Sequence, residues 1–218
     1  MKERVVNPEI LDRLDENDPA VRANRRDLRL LNRLMGGPAW IAHALRSRLS
    51  DEKVGIVELG AGDGTLGKRI HQAFGEHIST YRAIDQCSPP ADWPTHWAWT
   101  RGDLREVELQ DNEQMVIGNL ILHQFEDHEL QNLGARLRSR ANCFLFNEPA
   151  RFRIHRYQLM LAYVFGLHRI SRHDGQVSIR AGFRGNELPE ALGLSREKWQ
   201  WTCCHNWLGC YRMSAWRI

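Results

Sequence analysis

The sequence predicts a doubly wound α/β fold, a mostly parallel sheet with helices on both faces, one reversed strand, and a helical lid ahead of it. Three observations carry this expectation. From about residue 51 onward, strand-like apolar segments alternate with helix-like ones, the order that parallel strands and crossover helices produce. The segment "QMVIGNLIL" (114–122) is near-continuously apolar, as a strand covered on both faces should be. The chain then closes with "KWQWTCC" and "CYRMSAWRI", joined through "HNWLG", which read as an antiparallel pair and put a reversed strand at one edge.

Element by element, residues 1 to about 50 read as helical. Leu28, Leu31, Leu34 and Met35 recur at helical spacing, and "GGP" at 36–38 ends that run. Pro38 suits the first turn of a second helix carrying Trp40, Ile41, Ala44, Leu45 and Leu49. "VGIVELG" (54–60) is a strand, followed by a glycine turn and a helix from about Thr65 to Phe74. "TYRAID", "HWAWTRGD" and "QMVIGNLIL" supply the next three strands. "FEDHELQNLGARLRSR" is a helix, "NCFLFNEP" a fifth strand stopped at Pro149, and "RIHRYQLMLAYVFGLHRI" one longer helix. "DGQVSIRAGFRGNELPEALGL" reads as a loop or short extended piece before a short helix.

The bulk properties narrow the function classes. At 218 residues, 42% hydrophobic and 26% charged, with no internal repeat or long linker, the chain suits one compact unit. Within it, residues 1–50 form the lid and 51–218 the ligand-binding domain. No apolar run approaches the roughly 20 residues that span a bilayer, so no membrane partner is expected. "MKERVVNPEI" lacks a secretory pattern, which leaves the cytoplasm as the expected compartment. A net charge of +3 is too slight to imply nucleic acid. Arg22, Arg25, Arg26, Arg29 and Arg33 read as a solvated helix face. The five cysteines (Cys87, Cys143, Cys203, Cys204, Cys210) lack paired metal spacing and read as reduced thiols. "CCH" at 203–205 is no metal site, because strand neighbours point to opposite faces. A homodimer remains compatible.

The glycine turn holds the chemistry. "VELGAGDGTLG" places Gly60, Gly62, Gly64 and Gly67 after an acid, Glu58. A dinucleotide fingerprint needs G-x-G-x-x-G so that pyrophosphate sits on the helix N-terminus, but Thr65 stands where the third glycine belongs. A carboxylate beside the turn repels pyrophosphate. It suits a ligand carrying an ammonium and a sulfonium, as S-adenosyl-L-methionine does. Two further acids fall in register: Asp85 ends the second strand, where a carboxylate meets ribose hydroxyls, and Asp103 in "RGDL" follows the third.

With "VELGAGDG", "YRAID", "RGDL", "VIGNLILHQF" and the terminal strand pair, residues 50–218 resemble the class I S-adenosylmethionine-dependent methyltransferases. The resemblance implies a seven-stranded sheet with its last strand antiparallel. It implies a cofactor-binding set of Glu58, Gly60, Ala61, Gly62, Asp85, Gln86, Asp103, Leu104, Asn119 and Leu120. Within that set Glu58, Gly60 and Gly62 line the methionine, Asp85 the ribose, and Asp103 with Leu104 the adenine. "DLRLLNRLMGG", "NLILHQFEDHEL", "NEPARFR", "SRHDGQVSIRAGFRGNEL" and "WLGCYRMSAWR" look like a bacterial small-molecule group, often encoded beside polyketide or phenolic-lipid synthases.

The acceptor is expected beyond "GNLIL". His123 is the first titratable side chain there, and a neutral imidazole suits removal of a proton from a phenol or acid. Methylases of exocyclic base amines carry a Pro-Pro-aromatic turn at this point. "NLIL" lacks one, which disfavours such acceptors. In "SRHDGQ", His173 and Asp174 form a candidate second acid–base pair, with Arg172 or Arg184 holding an acidic substrate; Asp174-Gly175 also reads as a plain turn. Glu148-Pro149 reads as a strand stop. The leading expectation is methyl transfer to the oxygen, or ring carbon, of an aromatic or polyketide-like molecule. An RNA or protein acceptor, and a non-catalytic cofactor-binding module, are the rivals.

Overall fold

In the computed structural model, which describes residues 3–11, 14, 18–164 and 166–218, the helices and strands follow one another in fourteen steps. They are α1 (Pro19–Met35), α2 (Gly37–Arg46), β1 (Val54–Leu59), α3 (Thr65–Phe74), β2 (Ile78–Asp85), β3 (Ala98–Arg101) and β4 (Met115–Asn119). Then come α4 (Asp127–Leu137), β5 (Cys143–Pro149), α5 (Arg153–Val164), α6 (Arg169–Ala181), α7 (Glu187–Ala191), β6 (Trp199–His205) and β7 (Cys210–Arg217).

The strands form one sheet in the order β3-β2-β1-β4-β5-β7-β6. β1 to β5 run parallel, and β7 runs antiparallel to both β5 and β6. The fold class is therefore as expected, with one correction: the reversed strand is not at the edge. β7 has one residue exposed and sits between β5 and β6, whereas β6 alternates buried and exposed positions at its start, as an edge strand does. Strand order reverses between β1 and β4, which places a crevice at their carboxyl ends.

Each sheet face carries its own core. Val57, Leu59, Phe144, Phe146 and Trp199 pack against Leu130, Leu133 and Leu137 of α4 and Leu188 of α7. Ile56, Ile117 and Leu145, on the opposite face, pack against Ile41 and Leu45 of α2 and Leu66 and Ile70 of α3. Thus α2 is built into the core. Asp18 caps α1 by accepting from the Ala20 N–H at 2.7 Å. Gly36 ends α1 in the left-handed region, φ 74°, donating to the Asn32 carbonyl at 3.0 Å.

Three expectations change. Residues 3–10 lie outside any helix and run as a strap against α6 and the turn after β4. The single helix expected over 153–170 is two, broken near Gly166 (φ 94°) and restarted by the His168 side chain, which caps α6. "DGQVSIR", expected as a loop, lies inside α6. Gly175 belongs there because a Cβ at that position would come within 2.7 Å of Leu159, so glycine permits the close approach of α5 and α6.

The packing of α2 sets a stability test. Leu45→Ala should cost about 2–5 kcal/mol in urea unfolding, the range for a large buried aliphatic side chain. Leu34→Ala, at a position 62% exposed on α1, should stay within about 0.5 kcal/mol. Equal effects would mean that α2 is not part of the core.

Candidate functional site

Five residues, 60–64, carry β1 into α3. The Gly60 and Ala61 N–H groups both donate to the Ile84 carbonyl, at 2.9 and 3.3 Å, clamping the turn to β2. Gly60, Gly62 and Gly64 all hold positive φ, a conformation that glycine alone adopts without strain. A Cβ on Gly60 would strike Ile121 at 2.5 Å, whereas one on Gly62 would meet nothing within 4 Å. The turn is thus closed toward β4 and open above Gly62. Ala61 is buried in the α2–α3 core.

Asp85 holds the turn in place. Its carboxylate accepts from the Gly62 N–H at 2.7 Å and the Cys87 N–H at 2.8 Å. Gln86 beside it is exposed, and its carbonyl accepts from Arg101. Asp103 is half-buried and caps a short turn by accepting from the Arg105 N–H at 2.8 Å. Leu104 is buried and packs into the α4-side core. The Gly102 N–H donates to the Asp85 carbonyl, so the β2 and β3 ends are physically joined.

Glu58 points under α3. It is buried, takes a 2.6 Å hydrogen bond from the Tyr81 hydroxyl, and lies 3.0 Å from where a Cβ on Gly67 would sit. Tyr81 in turn stacks on Trp97 at 4.0 Å between ring centroids. Burial, helped by the charges of Asp85 and Asp63 and opposed by the Tyr81 bond, pushes the Glu58 carboxyl up to about 8. At neutral pH it is predominantly protonated as the protein stands.

At the end of β4, Asn119 accepts from the Asn147 side-chain amide at 2.9 Å. Leu120 follows with φ 59°, the one non-glycine residue with positive φ among the described residues. That conformation costs about 1–2 kcal/mol for an L-residue. It is held by the Leu120 N–H donating to the Asn147 carbonyl at 2.8 Å. Glu148, 0% exposed, then accepts the next three backbone N–H groups, of Ile121, Leu122 and His123, at 3.1, 2.9 and 3.3 Å.

His123 completes this array. Its Nδ1 lies 2.8 Å from Glu148 and its Nε2 3.6 Å from Glu9 of the strap. Burial pulls the imidazole pKa down, but the hydrogen bonds and charges of Glu148 and Glu9 outweigh burial and raise it to about 9. A general base needs an uncharged ring with a free lone pair facing the acceptor. With both ring nitrogens directed at carboxylates, His123 is placed as a clamp between Glu148 and Glu9 and turns no free lone pair toward an acceptor.

His173 and Asp174 do pair, with Nδ1 3.1 Å from the carboxylate, but on helix α6 rather than a loop. His173 is 53% exposed, and Asp174 is buried where it accepts from the backbone N–H groups of Ile10 and Leu11 at 2.8 and 3.1 Å. Asp174 therefore fastens the strap. Arg4 reinforces it by donating to the carbonyls of Ala181, His123 and Phe125. Arg184 lies over the Phe152 ring in a groove of about 430 Å³ lined also by Cys203, Cys204, His205 and Tyr211, near the β6 end and far from the glycine turn. Of the arginines on α1, Arg26 pairs with Asp27 and Arg29 with Asp63, which partly neutralises that face; the side chains of Arg22 and Arg25 lie outside the described residues. Among the described residues no group of His, Cys, Asp and Glu could hold a metal ion. No helix among them is long and apolar enough to cross a membrane.

Sequence reasoning missed Glu9, Arg4, Asn147 and Arg212, the last two of which form a polar row with Asn119. It read Glu148 chiefly as a strand stop. Glu148 and Asn147 carried one usable signal: polar residues inside an otherwise apolar strand must be satisfied by something.

No protein-family sequence model and no curated protein sequence matches the chain. Its fold is similar to solved structures of several methyltransferases. The plantazolicin methyltransferase BpumL, in complex with SAH, is 11% identical with a TM-score of 0.65, covering 92% of this chain and 91% of that one. BamL, a plantazolicin methyltransferase in complex with a triazolic desmethylPZN analog and SAH, is 8% identical with a TM-score of 0.68, covering 95% and 92%. The N-methyltransferase NodS from Bradyrhizobium japonicum, with S-adenosyl-l-homocysteine, is 14% identical with a TM-score of 0.55, covering 92% and 98%. At these identities the likeness is one of fold.

The clamp makes a pH-dependent prediction. Because the His123 pKa is raised above its unfolded value near 6.5 to about 9, its contribution to stability is full below pH 6.5 and lost as pH rises through 9. His123→Gln should therefore unfold more easily than wild type at pH 6, with the difference shrinking by pH 9.5 in urea titrations. A difference that does not change with pH would show that His123 is held neutral.

Proposed function

We propose that this protein is an S-adenosylmethionine-dependent methyltransferase acting on a small molecule, at the oxygen or ring carbon of an aromatic or polyketide-like acceptor. One observation carries the reading: a glycine turn open above Gly62, fastened by Asp85, with a buried acid directly beneath it. The SAH-bound methyltransferases of the same fold support it.

The residues present fit such a ligand. The space above Gly62 admits close backbone approach, and the Asp85 carboxylate has lone pairs left to accept from ribose hydroxyls after its two backbone bonds. Gly60, Ala61 and Gly62 would run beside the methionine portion, with Asn119 and Leu120 facing it from β4. Gln86, Asp103 and Leu104 would form the adenine end. When bound, the cofactor supplies a methyl group on a sulfonium, which an acceptor's electron pair displaces in line. The chain must align that acceptor, and the strained Leu120 and the loop held by Glu148 fix one wall for it. His123 positions this wall and does not take up the acceptor's proton. Residues 1–50 act as the lid, with the strap and α1 over the edge of the sheet and α2 as its rooted end.

Calorimetry tests the assignment. S-adenosylmethionine should bind with micromolar-range affinity and NAD should give no response. Asp85→Ala should weaken binding about tenfold or more, since a charge-assisted hydrogen bond contributes about 1.5–3 kcal/mol. NAD binding alone would overturn the reading.

Glu58 provides an independent check. A sulfonium and an ammonium nearby favour its ionised form, so the carboxyl that sits near 8 without them should release its proton on binding. Titrations at pH 7 in buffers of different ionisation enthalpy should show net proton release, and Glu58→Gln should abolish it. Identical heats in all buffers would mean that Glu58 does not sense the ligand.

A further inference from the structure

Across the carboxyl end of the sheet, Asn119 pairs in register with Asn147, and Asn147 with Arg212. All three share the α2 face, beneath the α1–α2 junction. A Cβ on Gly37 would come within 2.4 Å of Asn119 Oδ1, 2.5 Å of Asn147 Nδ2 and 2.8 Å of Asn32 Oδ1, so these amides crowd directly under the junction. Adjacent strands lie about 4.8 Å apart, so from the glycine turn after β1 the row runs from about 5 Å at Asn119 to about 14 Å at Arg212.

The row is under-satisfied in a specific way. Asn147 is 0% exposed, its amide nitrogen donates to Asn119, and its Oδ1 is buried with no hydrogen-bond partner. Asn32 Oδ1 and Arg212 Nε are likewise buried without a partner. Arg212 gives Nη2 to the Met35 carbonyl at 3.2 Å and lies 5.6 Å from the Trp40 ring centroid. Among the described residues no carboxylate lies within ion-pair distance of it. Buried polar atoms normally find partners, and a half-buried guanidinium normally finds an anion. Two buried acceptors and one cationic donor around the same junction are thus left without either.

We propose that this row anchors the acceptor, and that the acceptor is a small molecule with a hydroxyl beside a carboxylate. The hydroxyl donates its single proton to the Asn147 oxygen while the carboxylate accepts from Arg212 Nε, a pairing that satisfies the most buried acceptor and the cationic donor together. The planar fork of arginine suits a carboxylate better than a lysine would. The Met35 carbonyl, taken by Arg212 and by the Asn206 amide at 3.2 Å, fastens the junction as a roof that must lift to admit the molecule. The proposal rests on the methyltransferase reading only for the fate of the bound molecule.

Salicylate, benzoate and phenol serve as probes, titrated by NMR into the full chain alone and with SAH present. Salicylate should bind at least about tenfold more tightly than either analogue, the discrimination expected of a site with polar groups left unpaired by the wrong ligand. Arg212→Gln should erase the advantage of salicylate over phenol, and Asn147→Ala its advantage over benzoate. Asn147→Leu, of nearly the same shape and without the acceptor, gives the second reading of the hydroxyl contact should Asn147→Ala fail to fold. Circular dichroism and SAH affinity, retained in the variants, exclude general disruption. Salicylate binding no tighter than its analogues, or preferences untouched by the substitutions, would overturn the proposal and leave the row a structural polar cluster. Failure of SAH to bind wild type would overturn the methyltransferase reading, while the probe preferences of the chain alone would still decide this one.

Discussion

The buried carboxylate of Glu148 is the constraint from which the functional edge is built. It accepts three consecutive backbone N–H groups and a histidine ring, with no exposure to water. A carboxylate so buried is tolerable only with such a full set of donors. Those donors belong to the turn after β4, so its course is set by β5. Leu120 is pressed into its left-handed conformation between this turn and the Asn147 carbonyl. His123, drawn onto Glu148, presents its second nitrogen to Glu9, and Glu9 also takes the Ser178 hydroxyl of α6. One strand thereby organises the β4 turn, the strap and α6.

Charge is distributed unevenly across this edge. Glu58, Asp63 and Asp85 crowd the glycine turn, and the mutual repulsion contributes to keeping Glu58 protonated. On the far side of β4 His123, its pKa raised, sits between two carboxylates, and beyond it Arg212 has no carboxylate counterpart among the described residues. The turn is therefore suited to a cationic group and the β5–β7 end to an anionic one. A donor carrying a sulfonium and an acceptor carrying a carboxylate would be oriented oppositely along the same edge by that gradient alone.

Local pattern revealed the parts governed by local chemistry. The helix expected from Thr65 to Phe74 spans the observed α3, because a glycine turn and a following amphipathic run are both short-range features. Asp85 ends β2 where a carboxylate was expected. The failures arise where tertiary contacts override local signals. Asp174-Gly175 is a turn dipeptide by composition, yet α5 needs a residue without Cβ against Leu159, and the helix continues through it. His123 looked like a free base because its partners, Glu9 and Glu148, are remote in sequence. Neither the raised pKa nor the loss of a lone pair is visible without them. Arg212 was invisible for the same reason: its lack of a countercharge is a property of everything packed around it.

The roof over the polar row explains why α1 and α2 meet at two glycines. Gly36 must take a left-handed turn to end α1, and Gly37 must lack a Cβ to lie against three asparagine side chains. Met35, immediately before, then has its carbonyl aimed at Arg212 and Asn206 rather than into a helix. Such a junction is rooted on one side, where Ile41 and Leu45 are fully buried, and held on the other by hydrogen bonds to a half-buried cation. Apolar packing on the rooted side resists displacement over its whole area, whereas hydrogen bonds to one carbonyl can be exchanged for equivalent bonds to a ligand oxygen. Motion at this edge should therefore hinge at α2, with α1 moving, and the arginine that fastens the roof is the group that would receive what enters beneath it.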